Sequence, residues 1–360
     1  MPVSGPNKSG PYLLAAVIAA ALIVAAWALW PFGTDMRRKE ANRLPGGKVS
    51  AVPPESGKKS SVSIVPPKYA LRYSLGGHNS WVEAVAFSPD GKMLASASEP
   101  INLWEVSSGR LIRALHHTGD AARVTFSPDG RWLASAGCAY GGPIRLWDVA
   151  TGLNIAKLPN PGNNCTTALD FSPDGRLLAS GSNLYDLSTR DELWMLEREI
   201  SFSSYYGIAF SRDGRWFAAS GLDKATIWDT GNWKTRRTLE HSGGFINPVA
   251  MNPDGSILAL WESSSGTVAV WHLNDGRKIQ SLRIITETPS TDVRSLAFSP
   301  DGRLLACTTS RGAILWDTGT WTELQELGPR VNSVAFSPDG RWLAAGSDVK
   351  PRVWLWQASE

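Results

Sequence analysis

VEAVAFSPDGKMLASAS, residues 82–98, decides the fold. Two alternating apolar runs flank Ser-Pro-Asp-Gly. Proline presets φ at the second turn position, aspartate bonds nearby backbone, and glycine supplies the permissive conformation at the end. The two runs therefore read as a hairpin. The phrase FSPDG begins here at Phe87 and returns at Phe126, Phe171, Phe298 and Phe336, with FSRDG at Phe210 and MNPDG at Met251. Its aspartates fall at 90, 129, 174, 213, 254, 301 and 339, spaced 39, 45, 39, 41, 47 and 38 residues apart. A near-constant period of this size, with four short apolar runs per unit, is the mark of propeller blades.

Each unit continues into a third strand that ends in a Trp-acid pair: LWE at Trp104, LWD at Trp147, IWD at Trp228 and LWD at Trp316. Trp271 and Trp356 hold the same place, followed by His272 and Gln357. Turn residues (SSG, ATG, NDG, TGT) lead to a fourth strand such as LIRAL. With seven such turns phased to the Trp-acid pair, residues 69–360 resemble the WD-repeat family in its bacterial, FSPDG-rich form. That resemblance implies an all-β, seven-bladed WD-repeat β-propeller.

Two places need closer reading. Trp194 looks like the third repeat's tryptophan, but it leaves only 16 residues before Phe210, too few for a fourth strand and a loop. Aligning LYDLST, residues 184–189, with LWDVAT restores the interval to 25 and gives Tyr185 the tryptophan position. Trp194 then falls on the outer strand, and the loop between the second and third strands is unusually tight. The seventh repeat stops at Trp356, after its third strand. YALRYSL, residues 69–75, directly precedes Gly77-His78, where an outer strand belongs. The N-terminal strand is therefore expected to complete blade seven and close the ring, which removes a free edge. The attachment of residues 1–68 then lies at that blade's outer rim.

The family often carries a buried tetrad of a Gly-His histidine, a second-strand Ser/Thr, a turn Asp and the Trp. Here only His78 keeps the Gly-His pair, and only Asp223 and Asp348 look like turn aspartates. Stability is expected to rest on Trp, Phe and Leu packing more than on polar networks.

Outside the repeats, residues 12–32, YLLAAVIAAALIVAAWALWPF, carry no charge. As a helix, 21 residues span roughly 31 Å, about the thickness of a bilayer's hydrocarbon core. Trp27, Trp30 and Phe32 cluster at the C-terminal end, as interfacial aromatics do. The segment reads as a retained transmembrane helix behind a short tail, residues 1–11. A cleaved signal peptide is the rival, since Ala26-Trp27-Ala28 fits a small-x-small cleavage pattern. Residues 33–68 are rich in Gly, Pro, Ser and Lys and read as a basic linker, able as a coil to reach roughly 30–36 Å. Its charges lie against anionic headgroups or simply in solvent.

Net charge is only +3, which gives no footprint for nucleic acid. Its distribution is uneven: residues 1–32 carry +1, residues 33–68 carry +5, and residues 69–360 carry −3. Arg37, Arg38, Lys39, Arg43 and Lys48 follow the apolar segment, against Lys8 before it. The positive-inside rule then places the propeller on the cytoplasmic side.

Catalytic patterns are missing: there is no G-x-S-x-G elbow, no Walker loop and no paired carboxylates in a shared motif. His116-His117 reads as a loop pair without ligand-spaced partners. No cofactor is expected. Cys307 reads as a small buried hydrophobe. Cys138 and Cys165 map to loops of adjacent blades on one face. They pair as a disulfide if their Cα atoms lie within about 7 Å, which would favour an extracytoplasmic body; otherwise they are free thiols.

The resemblance also implies a contact surface, the narrow face, formed by residues opening each first strand. Six and four positions before the phenylalanine of each FSPDG phrase, or Met251 in its place, stand Trp81 and Glu83, Asp120, Thr167, Tyr206, Phe245 and Asn247, Asp292 and Arg294, and Arg330 and Asn332. Trp, Tyr and Arg carry most interface energy, so Trp81, Tyr206, Arg294 and Arg330 lead. The expected function is a membrane-tethered scaffold that presents one face to a protein or peptide partner. The alternatives are a secreted or periplasmic binding propeller after signal cleavage and, further off, a propeller hydrolase or lyase.

Overall fold

A computed structural model describes residues 66–116, 121–137, 143–160, 168–181, 183–188, 191–193, 207–221, 223–240, 248–284, 293–347 and 349–359. Its strands, β1–β28 in chain order, form seven four-stranded antiparallel sheets. Blade one runs β2 (Ala84–Phe87), β3 (Met93–Ala97), β4 (Ile101–Glu105) and β5 (Leu111–Leu115) from the centre outwards. The next five blades repeat that order. The architecture is the expected seven-bladed propeller. No helix among the described residues is long and apolar enough to cross a membrane, and residues 12–32 lie outside them.

Blade seven is assembled from both ends of the chain. β26 (Ser333–Phe336), β27 (Trp342–Gly346) and β28 (Arg352–Ala358) are completed by β1 (Tyr69–Gly76), whose register runs from Tyr69 opposite Ala358 to Gly76 opposite Arg352. Local side chains secure the junction. Tyr69 N donates to Gln325 Oε1 at 3.0 Å, Gln325 Nε2 donates to Tyr69 O at 2.8 Å, and the Tyr69 hydroxyl donates to Gly340 O at 2.6 Å.

Burial explains the sequence of each blade. The middle strands are covered on both faces by neighbouring blades, so MLASA and INLWE are almost wholly buried. Outer strands have one free edge, and LIRAL is half exposed. The core is divided between blades: Leu94 and Trp104 of blade one pack with Ala344 and Leu355 of blade seven. Ser-Pro-Asp-Gly makes the same turn each time. In blade one Ser88 Oγ donates to Asp90 Oδ1 at 2.6 Å and Met93 N donates to Ser88 Oγ at 2.9 Å, with Gly91 at φ 70°.

Blade three follows the reading of Tyr185. It lies in β12 (Asn183–Asp186), opposite Leu178 in β11 (Leu177–Ser180), and is fully buried. Its hydroxyl donates to Pro159 O. Two residues separate these strands, the tight loop expected. β13 (Asp191–Leu193) is the outer strand, while Trp194 lies outside the described residues.

The eroded tetrad survives best in blade one. His78 Nε2 lies 2.7 Å from Ser96 Oγ, to which Trp104 Nε1 donates at 2.8 Å. His78 Nδ1 lies 3.1 Å from Pro100 O, so a backbone carbonyl stands where the family's turn aspartate would. Trp147 keeps its serine, Ser135, at 2.8 Å.

Candidate interaction face

Antiparallel order puts the Ser-Pro-Asp-Gly turns and the turns after the Trp-acid pairs at one end of the propeller, here the turn face. First-strand openings and second-to-third-strand loops lie at the other. That second end holds the described residues of the expected contact surface. Trp81 is 58% exposed, an unusual position for an indole, and Arg330 is exposed. Glu83 and Arg294 are half-buried.

The backbone beneath them is pinned. Val82 N donates to Ser347 O at 3.1 Å and Glu83 N to Ala97 O at 2.9 Å, fixing Trp81 between blades seven and one. Arg294 N donates to Thr308 Oγ1 at 2.9 Å. Ser347 Oγ donates to Arg330 O at 3.1 Å.

Asn332 requires a correction. Expected on the contact surface, it is only 3% exposed. Its Oδ1 accepts from Arg294 Nη1 at 3.1 Å, and its Nδ2 donates to Val82 O at 3.4 Å. It therefore braces three consecutive blades from beneath. The position count was right, but at this blade the side chain finds a half-buried guanidinium and a buried carbonyl as partners and turns inward.

Two residues were missed. Val349 is 61% exposed, two residues beyond the Ser347 carbonyl that holds Val82. A small apolar surface thus flanks the blade seven–one junction. Arg123 in β6 (Ala121–Phe126) stands opposite Ala136, in regular register with Phe126 and just inside a bulge between Ala121 and Arg123. Burial holds its guanidinium below the ordinary arginine range, with Glu83 opposing the shift and Arg294 adding to it. Glu83, Arg123 and Arg294 therefore share one electrostatic neighbourhood. A count of six and four positions back from Phe126 passes over Arg123, which stands three before it.

Asp120, Thr167, Tyr206, Phe245, Asn247 and Asp292 lie outside the described residues, as do Cys138 and Cys165. Cys307 is fully buried, as expected, and burial pushes its thiol up to about 12. On the turn face, a cleft of about 460 Å³ is lined by Asp213, Trp216, Asp229, Arg236 and Asp254. Its carboxylates are occupied within their own turns: Asp213 by Ser211, Asp229 by Gly231 N and Asp254 by Ser256. Arg215 and Arg236 cover the Trp216 ring at 4.6 and 3.9 Å. The cleft thus offers no exposed aromatic platform.

Comparison with known proteins agrees with the geometry. Residues 70–99, 109–148, 154–186, 279–317 and 321–354 match the WD domain, G-beta repeat (WD40) pattern. The rice small ribosomal subunit protein RACK1y is 32% identical over 105 residues, 29% of this chain and 30% of that protein. Its Caenorhabditis elegans counterpart, RACK1, is 29% identical over 115 residues, 31% of this chain and 33% of that protein. Those matches span about a third of the relatives' length. MST50-interacting protein 11 of Pyricularia oryzae is similar over more: 28% identity across 276 residues, 72% of this chain and 84% of that protein. All three relatives are eukaryotic, so the bacterial type rests on the FSPDG-rich repeats alone.

Proposed function

Because this propeller is built from WD40 repeats, we propose that the Trp81 face captures a protein or peptide partner and that the chain is a non-catalytic, membrane-tethered scaffold. The observation that carries the reading is the exposed Trp81–Val349 surface, with Arg330 beside it, on a backbone pinned across blades seven and one. An indole held in water on a rigid base is already organised for binding, so little ordering entropy is lost when a partner covers it. The relatives' names fit an assembly role: one is a ribosomal subunit protein, another an interacting protein.

The tether in this proposal is residues 12–32, with residues 33–68 as the linker and the propeller on the cytoplasmic side. Its support is the uncharged apolar length and the Lys/Arg excess that follows it.

Photo-crosslinking in cells tests the face. A crosslinker at position 81 or 330 should trap one discrete partner, and a crosslinker at Lys92 on the turn face should not. Trp81→Ala with Arg330→Ala should cut partner capture at least tenfold at unchanged melting temperature. Full capture by the double variant would sink the face assignment. Protease protection of the propeller in intact and osmotically shocked cells, with residues 1–32 retained by mass, would support the tether and its orientation. Digestion after outer-barrier disruption would reverse the orientation.

A further inference from the structure

The described residues hold eight well-exposed large apolar side chains. Trp81 and Val349 belong to the contact face. The other six lie on or beside outermost strands: Leu324 in β25 (Glu323–Leu327), Leu71 in β1, Leu111 and Ile112 in β5, and Leu153 and Ile155 at β9 (Asn154–Leu158). These strands belong to four consecutive blades: six, seven, one and two. The outer strands of blades four and five, β17 (Lys234–Glu240) and β21 (Arg277–Arg283), contribute none.

Register puts the six at one level. Leu71 pairs with Trp356 and Leu111 with Trp104. Ile155 sits between Asn154, which pairs with Trp147, and Ala156, which pairs with Leu146. Leu324 follows Glu323, which pairs with Trp316. Each residue is therefore at the turn-face end of its strand, beside a third-strand tryptophan and away from the Trp81 face. Tyr69, where the chain enters the propeller, is at that same end, opposite Ala358.

Charge narrows the choice of occupant. β1, β5 and β9 contain Arg72, Arg113 and Lys157 and no acidic residue, whereas β25 contains Glu323 and Glu326. Arg72, next to Leu71, is exposed at the turn-face end, whereas Lys157, opposite Arg145, lies toward the other end of its strand. These three outer strands are therefore apolar and basic, with Glu105 and Asp148 at the ends of the neighbouring third strands. Covalently before Tyr69 come a linker of net charge +5 and the uncharged residues 12–32.

We propose that the turn-face rim of blades seven, one and two rests on an anionic bilayer surface. Leu71, Leu111, Ile112, Leu153 and Ile155 enter the headgroup–acyl boundary, while Arg72 meets lipid phosphates or carboxylates. The chain's attachment point lies within this rim, and the Trp81 face is left pointing away from the lipid. The proposal rests on the tether reading for what brings the rim to a membrane.

The test uses full-length protein reconstituted in phosphatidylcholine vesicles with and without phosphatidylserine, read by amide hydrogen exchange. Residues 110–115 and 153–158 should exchange at least tenfold more slowly on phosphatidylserine vesicles than in detergent, with residues 234–240 and 277–283 unchanged. Leu111→Gln with Ile112→Gln and Ile155→Gln should remove that protection. Arg72→Glu should weaken it as well, through charge rather than packing. Equal exchange with and without lipid overturns the proposal. So does protection that follows protein density and ignores lipid charge, which would mark contact with a second copy. Carbonate extraction separates the two readings. Carbonate-resistant protein with an unprotected rim sinks the rim alone, and a protected rim on protein that carbonate releases sinks the tether alone.

Discussion

Buried among Ser96, Pro100 and Trp104, His78 has its pKa lowered to about 4, chiefly because burial disfavours the charged ring. Asp170, on the first strand of blade three, shifts the other way. Burial raises its carboxyl to about 7, with the hydrogen bond from Phe210 N opposing. The two act on stability with opposite sign. As pH falls from 7 to 4, an unfolded chain protonates His78 before the folded one does, so stability is lost, by about 3 kcal/mol when the shift is converted. Over the same range folded Asp170 takes up its proton first, which adds stability. His78→Gln should therefore flatten the loss of stability on acidification, and Asp170→Asn should steepen it. Urea unfolding at pH 7, 5.5 and 4 measures both slopes; parallel slopes for wild type and both variants would refute the assignment.

Between elements, neighbouring blades are clasped by the outer strand of one and the turn of the next. Arg113 of β5 donates to Thr151 O and Ala150 O, at 2.6 and 3.0 Å, across Gly152. Arg237 of β17 repeats this at Asp275 O and Asn274 O, at 3.1 and 2.9 Å, across Gly276. A Cβ at Gly152 would meet Arg113 Cδ at 2.4 Å, and the backbone there has φ +74°. Gly152→Ala should thus break the clasp and strain the turn together, lowering stability by about 2 kcal/mol or more. Blades four and six place Trp233 and Trp321 at the same turn position, at φ 54° and 56°. Trp233 offsets that conformation by packing edge-on against Phe217. Closure of blade seven gives a second element-scale outcome. Gln325→Ala removes both hydrogen bonds to Tyr69 and should cost about 1–3 kcal/mol. Deleting residues 1–76 exposes the edge of β28 and should drive self-association, visible by light scattering.

For the whole molecule, exposed apolar residues divide between two ends. Trp81 and Val349 occupy the contact end, and the aliphatic rim occupies the turn end near Tyr69. A scaffold held by one and presenting the other separates its two tasks. Variants should divide accordingly: Trp81→Ala with Arg330→Ala loses the partner and keeps lipid protection, and the rim variants do the reverse. Hydrogen exchange of both variant classes on phosphatidylserine vesicles, together with partner crosslinking, checks this. Loss of both properties from either class would show that the two surfaces are not independent.

Much of this was legible in the sequence because it is periodic or covalent. Seven Asp-Gly turns, the Trp-acid phase, Tyr185 in place of a tryptophan and the N-terminal strand completing blade seven follow from counting residues between turn and strand. Turn chemistry is local, so it survives being read one segment at a time. What only the tertiary structure decided depends on neighbours distant in the chain. Asn332 turns inward because Arg294 and the Val82 carbonyl offer it hydrogen bonds, 38 and 250 residues away. Arg123 meets the charges of Glu83 and Arg294 only because the fold brings residues of three blades together. The aliphatic rim exists because four separate strands end at one level of one ring, and solvent exposure is a property of the assembled surface rather than of any segment.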